Sequence, residues 1–467
     1  MPSDSRDTPI LADAAQHRLQ DFLQQPAIQR IYVHDTEAVG VDSLNVARGS
    51  TSNVHAGRAV LLAQRGDLVV VPGDIDPAYL GFLDGIGIGP GREGVFVLPT
   101  VAGRGAARSG SLLAGLREDR ALRMLAERTD PRREFRLSPY YASAGAFETA
   151  AALQDLTGRR VAVDGGSPEA VALSNRKDLV REQACRLGIP WSTGELVGGP
   201  GRGDGTDLAR ELHAAIGRVR ASTGGAFVRG VWSMHGADNL RVTGRGTTVA
   251  DLAEWLRGRA SQQAFLVEPL LSVRASPNVQ LWIEDDGSVH ALAVTAQRLD
   301  ENLVHRGNAF PYRSPWWAQI RAWSVAMGRW LSTVGYRGPL GLDFLETTDP
   351  RTGREITLLV EVNGRINGAT YALGVTERLD QQRAGAGLTR LGFWRSATEV
   401  ATSARSFADL AERLDGLLFA DFRRSAGVIP YNAGLLPHGL VYLLMVASGP
   451  DELDDLEAAA RARTCGG

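Results

Sequence analysis

Residues 359–368 read Leu359-Val360-Glu361-Val362-Asn363-Gly364-Arg365-Ile366-Asn367-Gly368, and the fold turns on how they are read. In a strand, successive side chains alternate between two faces. On that rule Ile356, Leu358, Val360 and Val362 face a core. Glu361 and Asn363 then face the other way, with Arg365 just past the strand end. A carboxylate, an amide oxygen and a guanidinium on one edge suit Mg²⁺ held against nucleotide phosphates. Mg²⁺ takes hard oxygen ligands and keeps substrate phosphates in its shell. Arginine meets phosphate as a planar fork. By itself the trio could equally close an exposed strand. Upstream, Gly335 to Phe344 reads as a turn feeding another strand, and Asp349-Pro350-Arg351-Thr352-Gly353 reads as a turn. The two strands predict a hairpin with Asp343 near Glu361. Whether the two carboxylates share a face depends on a register that spacing alone leaves open.

The rest of the chain bounds the class. Its 467 residues suggest about three domains. A hydrophobic share of 44% and a charged share of 22% are ordinary for a soluble globular protein. Two cysteines, Cys185 and Cys465, exclude a disulfide framework and fit a reducing compartment. A net charge of −2 gives no sign of a nucleic-acid partner. The amino terminus has no apolar leader, and the longest apolar run, around residues 440–447, is too short to cross a bilayer. The expected location is the cytoplasm, with no membrane contact.

Arg30 to Val33, Leu68 to Val71 and Gly94 to Leu98 read as strands, with a helix from Pro77 after Asp76. Strands alternating with helices predict a largely parallel sheet. Gly89-Pro90-Gly91-Arg92-Glu93-Gly94 fits a dinucleotide loop in spelling but precedes a strand instead of opening a helix, so it is rejected. Ser174 is expected to cap one helix from Asn175 to Leu187. A tryptophan-rich helix is expected from Pro315 to Val334.

Taken in order, the quoted motifs are Asn175-Arg176-Lys177, Gly188-Ile189-Pro190, Phe227-Val228-Arg229 with its following loop, Phe265-Leu266-Val267-Glu268, Gly341-Leu342-Asp343-Phe344, and Glu361 to Arg365. This order resembles the ATP-grasp superfamily of carboxylate–amine ligases across roughly residues 160 to 375. The flanking blocks resemble the accessory domains of a peptide ligase of natural-product biosynthesis. The resemblance implies an α/β ATP-grasp fold. Residues 1–160 would form a Rossmann-like pre-ATP-grasp domain, 161–246 and 247–375 the two ATP-grasp lobes, and 376–467 a small carboxyl-terminal α/β domain.

It also implies roles. Lys177 and Arg229 would contact phosphate, Arg229 standing where lysine is usual. Ser233, His235 and Gly236 lie in a loop matching the lid over the triphosphate. Glu268 and Leu270 match the hinge that holds adenine. Asp343, Glu361 and Asn363 match the Mg²⁺ ligands. Arg365, together with Arg298, matches the group that stabilises the developing acyl-phosphate. The implied cofactors are ATP and Mg²⁺. The implied partners are an amino acid or related carboxylate as acyl donor and the amine of an amino acid or peptide as acceptor, with a homodimer left open. An ATP-grasp carboxylase and a nucleotide-binding regulator without turnover are the alternatives.

Overall fold

The computed structural model describes residues 18–36, 54–99, 111–199, 205–232, 239–244, 246–257, 259, 264–301 and 303–465. Among these, the short apolar runs of the amino-terminal third form one parallel sheet. Its strands are β1 (Ile28–Val33), β2 (Leu68–Val71), β3 (Val95–Val97), β4 (Glu134–Pro139) and β5 (Val161–Val163). They lie in the order β3-β2-β1-β4-β5 and every pair is parallel. The interior strands are buried on both faces, which is why they read as continuous apolar runs without alternation. Helix Pro77–Gly85 begins as expected, with Asp76 accepting from the Ala78 amide at 2.9 Å.

The second sheet is antiparallel: β6 (Glu195–Gly198), β7 (Ala226–Gly230), β8 (Asn239–Val242) and β9 (Ala264–Pro269), ordered β6-β9-β7-β8. Leu212, Ile216 and Val219 of helix Gly205–Thr223 pack with Leu252 and Leu256 against its inner face. The third sheet has eight strands. They are β10 (Pro277–Ile283), β11 (Val289–Leu299), β12 (His305–Phe310), β13 (Gly338–Thr348), β14 (Glu355–Asn363), β15 (Phe393–Ala401), β16 (Ala426–Pro430) and β17 (Leu440–Ala447). Their order is β14-β13-β10-β11-β12-β15-β17-β16. The last three strands therefore extend the same sheet that carries Asp343 and Glu361. Strand β15 was not anticipated, because Arg395, Ser396 and Thr398 break its apolar pattern. The tryptophan helix runs from Trp317 to Thr333, and Trp323 and Trp330 pack on the core.

Two expectations about local structure need correction. The helix expected from Asn175 to Leu187 forms, as Lys177–Arg186 with Leu187 at its C-cap, but Ser174 does not cap it. Ser174 instead closes helix Pro168–Ser174, and helix Lys177–Arg186 begins after a gap of two residues. Asn175 causes the break: its side-chain amide bonds the Val171 carbonyl at 2.8 Å instead of continuing the turn. The break places Lys177 at a helix start, where its amide donates to the Val231 carbonyl at 3.1 Å. Strand β14 also departs from simple alternation. A bulge lies between the pairs Asp343↔Glu361 and Phe344↔Leu359, so Val360 is the extra residue. Beyond it the parity flips. Leu359, fully buried, joins Val362 and Phe344 in the core, whereas Val360 turns to the cleft.

A buried charge cluster fixes the first sheet to the third. Asp164 accepts from Arg30 at 2.6 Å, Arg136 at 3.1 Å and Ser138 at 2.6 Å. Arg136 also pairs with Asp285 in the turn after β10. Burial alone would raise the Asp164 carboxyl, but Arg30 and Arg136 reverse this and hold it below the usual carboxylate range. Asp164→Ala strands two guanidiniums and is expected to cost about 3–5 kcal/mol, read as a lower urea midpoint. Because the folded pKa is depressed, this stabilisation is present above the unfolded carboxylate pKa and is lost as pH falls through the folded one. The gap between wild type and variant should therefore shrink in acid.

Candidate active site

The second and third sheets face each other across a cleft, and the sequence-predicted residues converge on it. Directly paired on β13 and β14, Asp343 and Glu361 share one face. Register fixes this: Gly341 pairs with Asn363, and on the other side of β13 Asn278 pairs with Asp343. Asp343 accepts from the Asn278 amide at 2.5 Å through Oδ1 and from the Asn363 amide at 2.8 Å through Oδ2. Glu361 Oε1 lies 3.0 Å from Lys177 Nζ. Burial, then the charge of Glu361, pushes the Asp343 carboxyl up to about 7. Burial also works against ionised Glu361, but Lys177 and Arg365 outweigh it and hold its carboxyl below the usual range. Lys177 is itself lowered by burial, partly offset by Glu361.

Buried Asp343 and half-buried Glu361 stand side by side on adjacent strands. Hard oxygens from Asp343, Glu361 and Asn363 match the chemistry of Mg²⁺. Among the described residues no group of three or more His, Cys, Asp or Glu gathers as a metal cluster, so the third donor would have to be an amide. Asn363 presents its N–H₂ to Asp343 here; turning the amide over would present Oδ1 instead.

Arg365 follows the strand in the turn before helix Gly368–Gly385. Its NH1 donates to Asn175 Oδ1 at 2.6 Å, and its amide donates to the Asn363 carbonyl at 2.8 Å. Its Nε is buried with no partner among the described residues. Asn175 thus has two jobs: it ends a helix and aims Arg365.

Arg229 and Glu268 do line the cleft, but their polar atoms are already engaged. Glu268 Oε2 accepts from Arg229 Nε at 2.8 Å, and Oε1 accepts from Trp191 Nε1 at 3.0 Å. Arg229 NH1 reaches across to the Val360 carbonyl at 2.7 Å. Arg229 therefore ties β7 to β14. The Leu270 amide donates to the Gly225 carbonyl at 3.1 Å, so Leu270 offers the cleft its side chain. With Phe227, Leu299, Leu345 and Val360 it forms an apolar slot beside the charged end. Arg229→Met leaves Glu268 buried without its cation. It is expected to destabilise by about 3 kcal/mol, measured by thermal melting.

Arg298 is not brought to this site. Gln297 and Leu299 face the cleft, so Arg298 faces the opposite side of β11, where it pairs with Glu457 at 2.8 Å. Strand alternation is the reason. Ser233, His235 and Gly236 lie outside the described residues. Sequence reasoning missed Asn278 and Gln280. Gln280 donates to Asn278 at 2.5 Å and to the helix-capping Asn367 at 3.0 Å. The signal was available: polar residues alternate with Val279 and Leu281 in a strand buried along its whole length.

Residues 56–154 match the family model described as the pre ATP-grasp domain. A solved N5-carboxyaminoimidazole ribonucleotide synthetase, in its ADP complex, aligns over 93% of this chain and 95% of its own, with a TM-score of 0.54 and 12% identity. The enzyme of that name from Thermus thermophilus aligns over 94% and 98%, with a TM-score of 0.53 and 14% identity. This chain has the ATP-grasp fold. Two curated proteins are similar in sequence to the ATP-grasp chain. The [butirosin acyl-carrier protein]–L-glutamate ligase of Niallia circulans is 31% identical over 140 residues, 28% of this chain and 32% of that protein. The L-propargylglycine–L-glutamate ligase of Streptantibioticus cattleyicolor is 29% identical over 245 residues, 49% of this chain and 50% of that protein. The chain thus spans a third to a half of these relatives' lengths. No helix among its described residues is long and apolar enough to cross a membrane.

Proposed function

We propose that the chain is an ATP-dependent ligase. It joins the carboxylate of an amino acid to the amine of an amino acid or peptide through an acyl-phosphate, releasing ADP and phosphate. The observation that carries this reading is the direct pairing of Asp343 with Glu361 in one cleft with Lys177 and next to Arg365. The names of the two curated relatives, both ligases acting on L-glutamate, support it.

The chemistry follows from the charges. A carboxylate does not acylate an amine in water, because oxide is too poor a leaving group. Transfer of the terminal phosphoryl group of ATP to one carboxylate oxygen turns that oxygen into a phosphate leaving group. The step crowds anionic oxygens, and Lys177 and Arg365 offset the repulsion and hold the groups in line. When bound to Asp343, Glu361 and Asn363, Mg²⁺ would neutralise phosphate charge. In the second step the neutral amine attacks the acyl carbon, phosphate leaves and the amine proton is lost. Arg365, held by Asn175, faces the oxyanion that forms. The apolar slot around Leu270 takes the adenine.

The test is ADP release with magnesium across amino-acid donors and amino-acid or dipeptide acceptors, with mass detection of products. Coupled amide with one ADP per bond is expected. ADP release that depends on bicarbonate would replace this reading with a carboxylase, and nucleotide binding without stimulated ADP release would replace it with a regulator.

A further inference from the structure

A second polar cluster lies where the first sheet meets the third, apart from the Lys177–Glu361 pair. Arg58, on the 3₁₀ turn Ala56–Leu61, is 6% exposed. Its guanidinium carbon lies 4.9 Å from the ring centre of Tyr371, 5.6 Å from Tyr442 and 5.9 Å from Tyr140. Nε makes one long hydrogen bond, 3.4 Å, to the His55 carbonyl.

The other buried arginines show how unusual this is. Arg30 and Arg136 pair with Asp164, Arg229 with Glu268, and Arg365 with Asn175. Arg378 and Arg383 each donate to backbone carbonyls. Arg58 alone among them makes no hydrogen bond or ion pair through either terminal nitrogen among the described residues. A buried guanidinium without a counterion is costly.

The groups around it are neutral. His34, bonded to the Tyr371 hydroxyl at 2.8 Å, is lowered to about 3 by burial and then by Arg58. Burial raises the phenols of Tyr371, Tyr431 and Tyr442. The cluster is therefore one fixed positive charge packed against the faces of neutral tyrosines. It also adjoins the reacting centre. Tyr140 precedes Tyr141, whose phenol is raised by burial and lowered in part by the charge of Arg365. Tyr371 stands in the first turn of the helix that Asn367 caps, two residues after Arg365.

We propose that Arg58 and its ring of tyrosines bind a second carboxylate of the substrate pair, one that is not phosphorylated. This rests on the ligase reading. It narrows the substrates to pairs in which either the acceptor keeps a free carboxylate or the donor is a dicarboxylic acid.

The experiment has a turnover arm and an equilibrium arm. In ADP release, acceptor amino acids are compared with their α-carboxamides, and dicarboxylic donors with their ω-amides. The form with the second carboxylate should have a KM at least tenfold lower in one of the two comparisons, and that comparison names its source. Arg58→Met should abolish the preference, while Arg58→Lys should retain part of it and so separate lost charge from lost folding. In the equilibrium arm, the ADP- and magnesium-loaded full chain is titrated calorimetrically with glutarate and with glutaramide. Wild type should bind the dianion at least tenfold more tightly, and Arg58→Met should erase the difference. An unchanged preference in Arg58→Met, or none in the wild type, overturns the proposal. Arg58-dependent glutarate binding without ADP release from any pair overturns the ligase reading and leaves the anion site standing.

Discussion

Glu361→Gln is expected to lower ADP release by about a thousandfold while leaving a cooperative unfolding transition. The variant is isosteric, and its amide oxygen can still accept from Lys177 Nζ, which lies 3.0 Å from the carboxylate. What is lost is charge, on one of two paired carboxylates that would hold the divalent ion. The change also removes the repulsion that, after burial, raises Asp343. A coupled ADP assay over a range of magnesium concentrations checks this. Turnover at the wild-type rate would remove the metal assignment, because the only other carboxylate in the pair is Asp343.

Arg365→Met is expected to lower kcat by about a hundredfold or more and to change the KM for ATP little. The argument is geometric. Arg365 is 7% exposed, its NH1 is fixed by Asn175, and it follows β14 at the cleft's reacting end. It is placed for charge that develops during the reaction and lies apart from the apolar slot that would hold the base. Asn175→Ala should give a smaller kcat loss with the same signature, since it frees the guanidinium without removing it. A large rise in the KM for ATP with unchanged kcat would instead make Arg365 a ground-state phosphate contact.

Much of the fold was legible because local rules and tertiary structure agreed. The amino-terminal strands read as apolar runs because both faces are covered, and Asp76 and the turn at Asp349 carry short-range signals. The β13–β14 hairpin was legible for the same reason. The parity of β14 was not. A bulge inserts Val360, and no propensity marks it, since valine suits either face of a strand. The helix expected at Asn175–Leu187 was found, but its cap at Ser174 was misplaced, because Asn175 takes partners from Gly364 and Arg365, nearly two hundred residues on. Arg298 failed for the opposite reason. A motif match names a position, while strand alternation decides which way the side chain faces, and here it faces Glu457.

By itself the sequence determined the chemical inventory: two carboxylates, an amide and an arginine at the end of a strand, with Lys177 far upstream and no cysteine or histidine set to compete for a metal. Composition and motif order are linear properties, so a linear reading reaches them. Only the tertiary structure decided that Asp343 stands directly opposite Glu361, that Glu268 braces Arg229, and that Arg58 has no counterion among the described residues. Those are properties of pairs brought together from distant parts of the chain. A buried charge takes its meaning from whatever lies within a few ångströms of it, and that distance is set by packing.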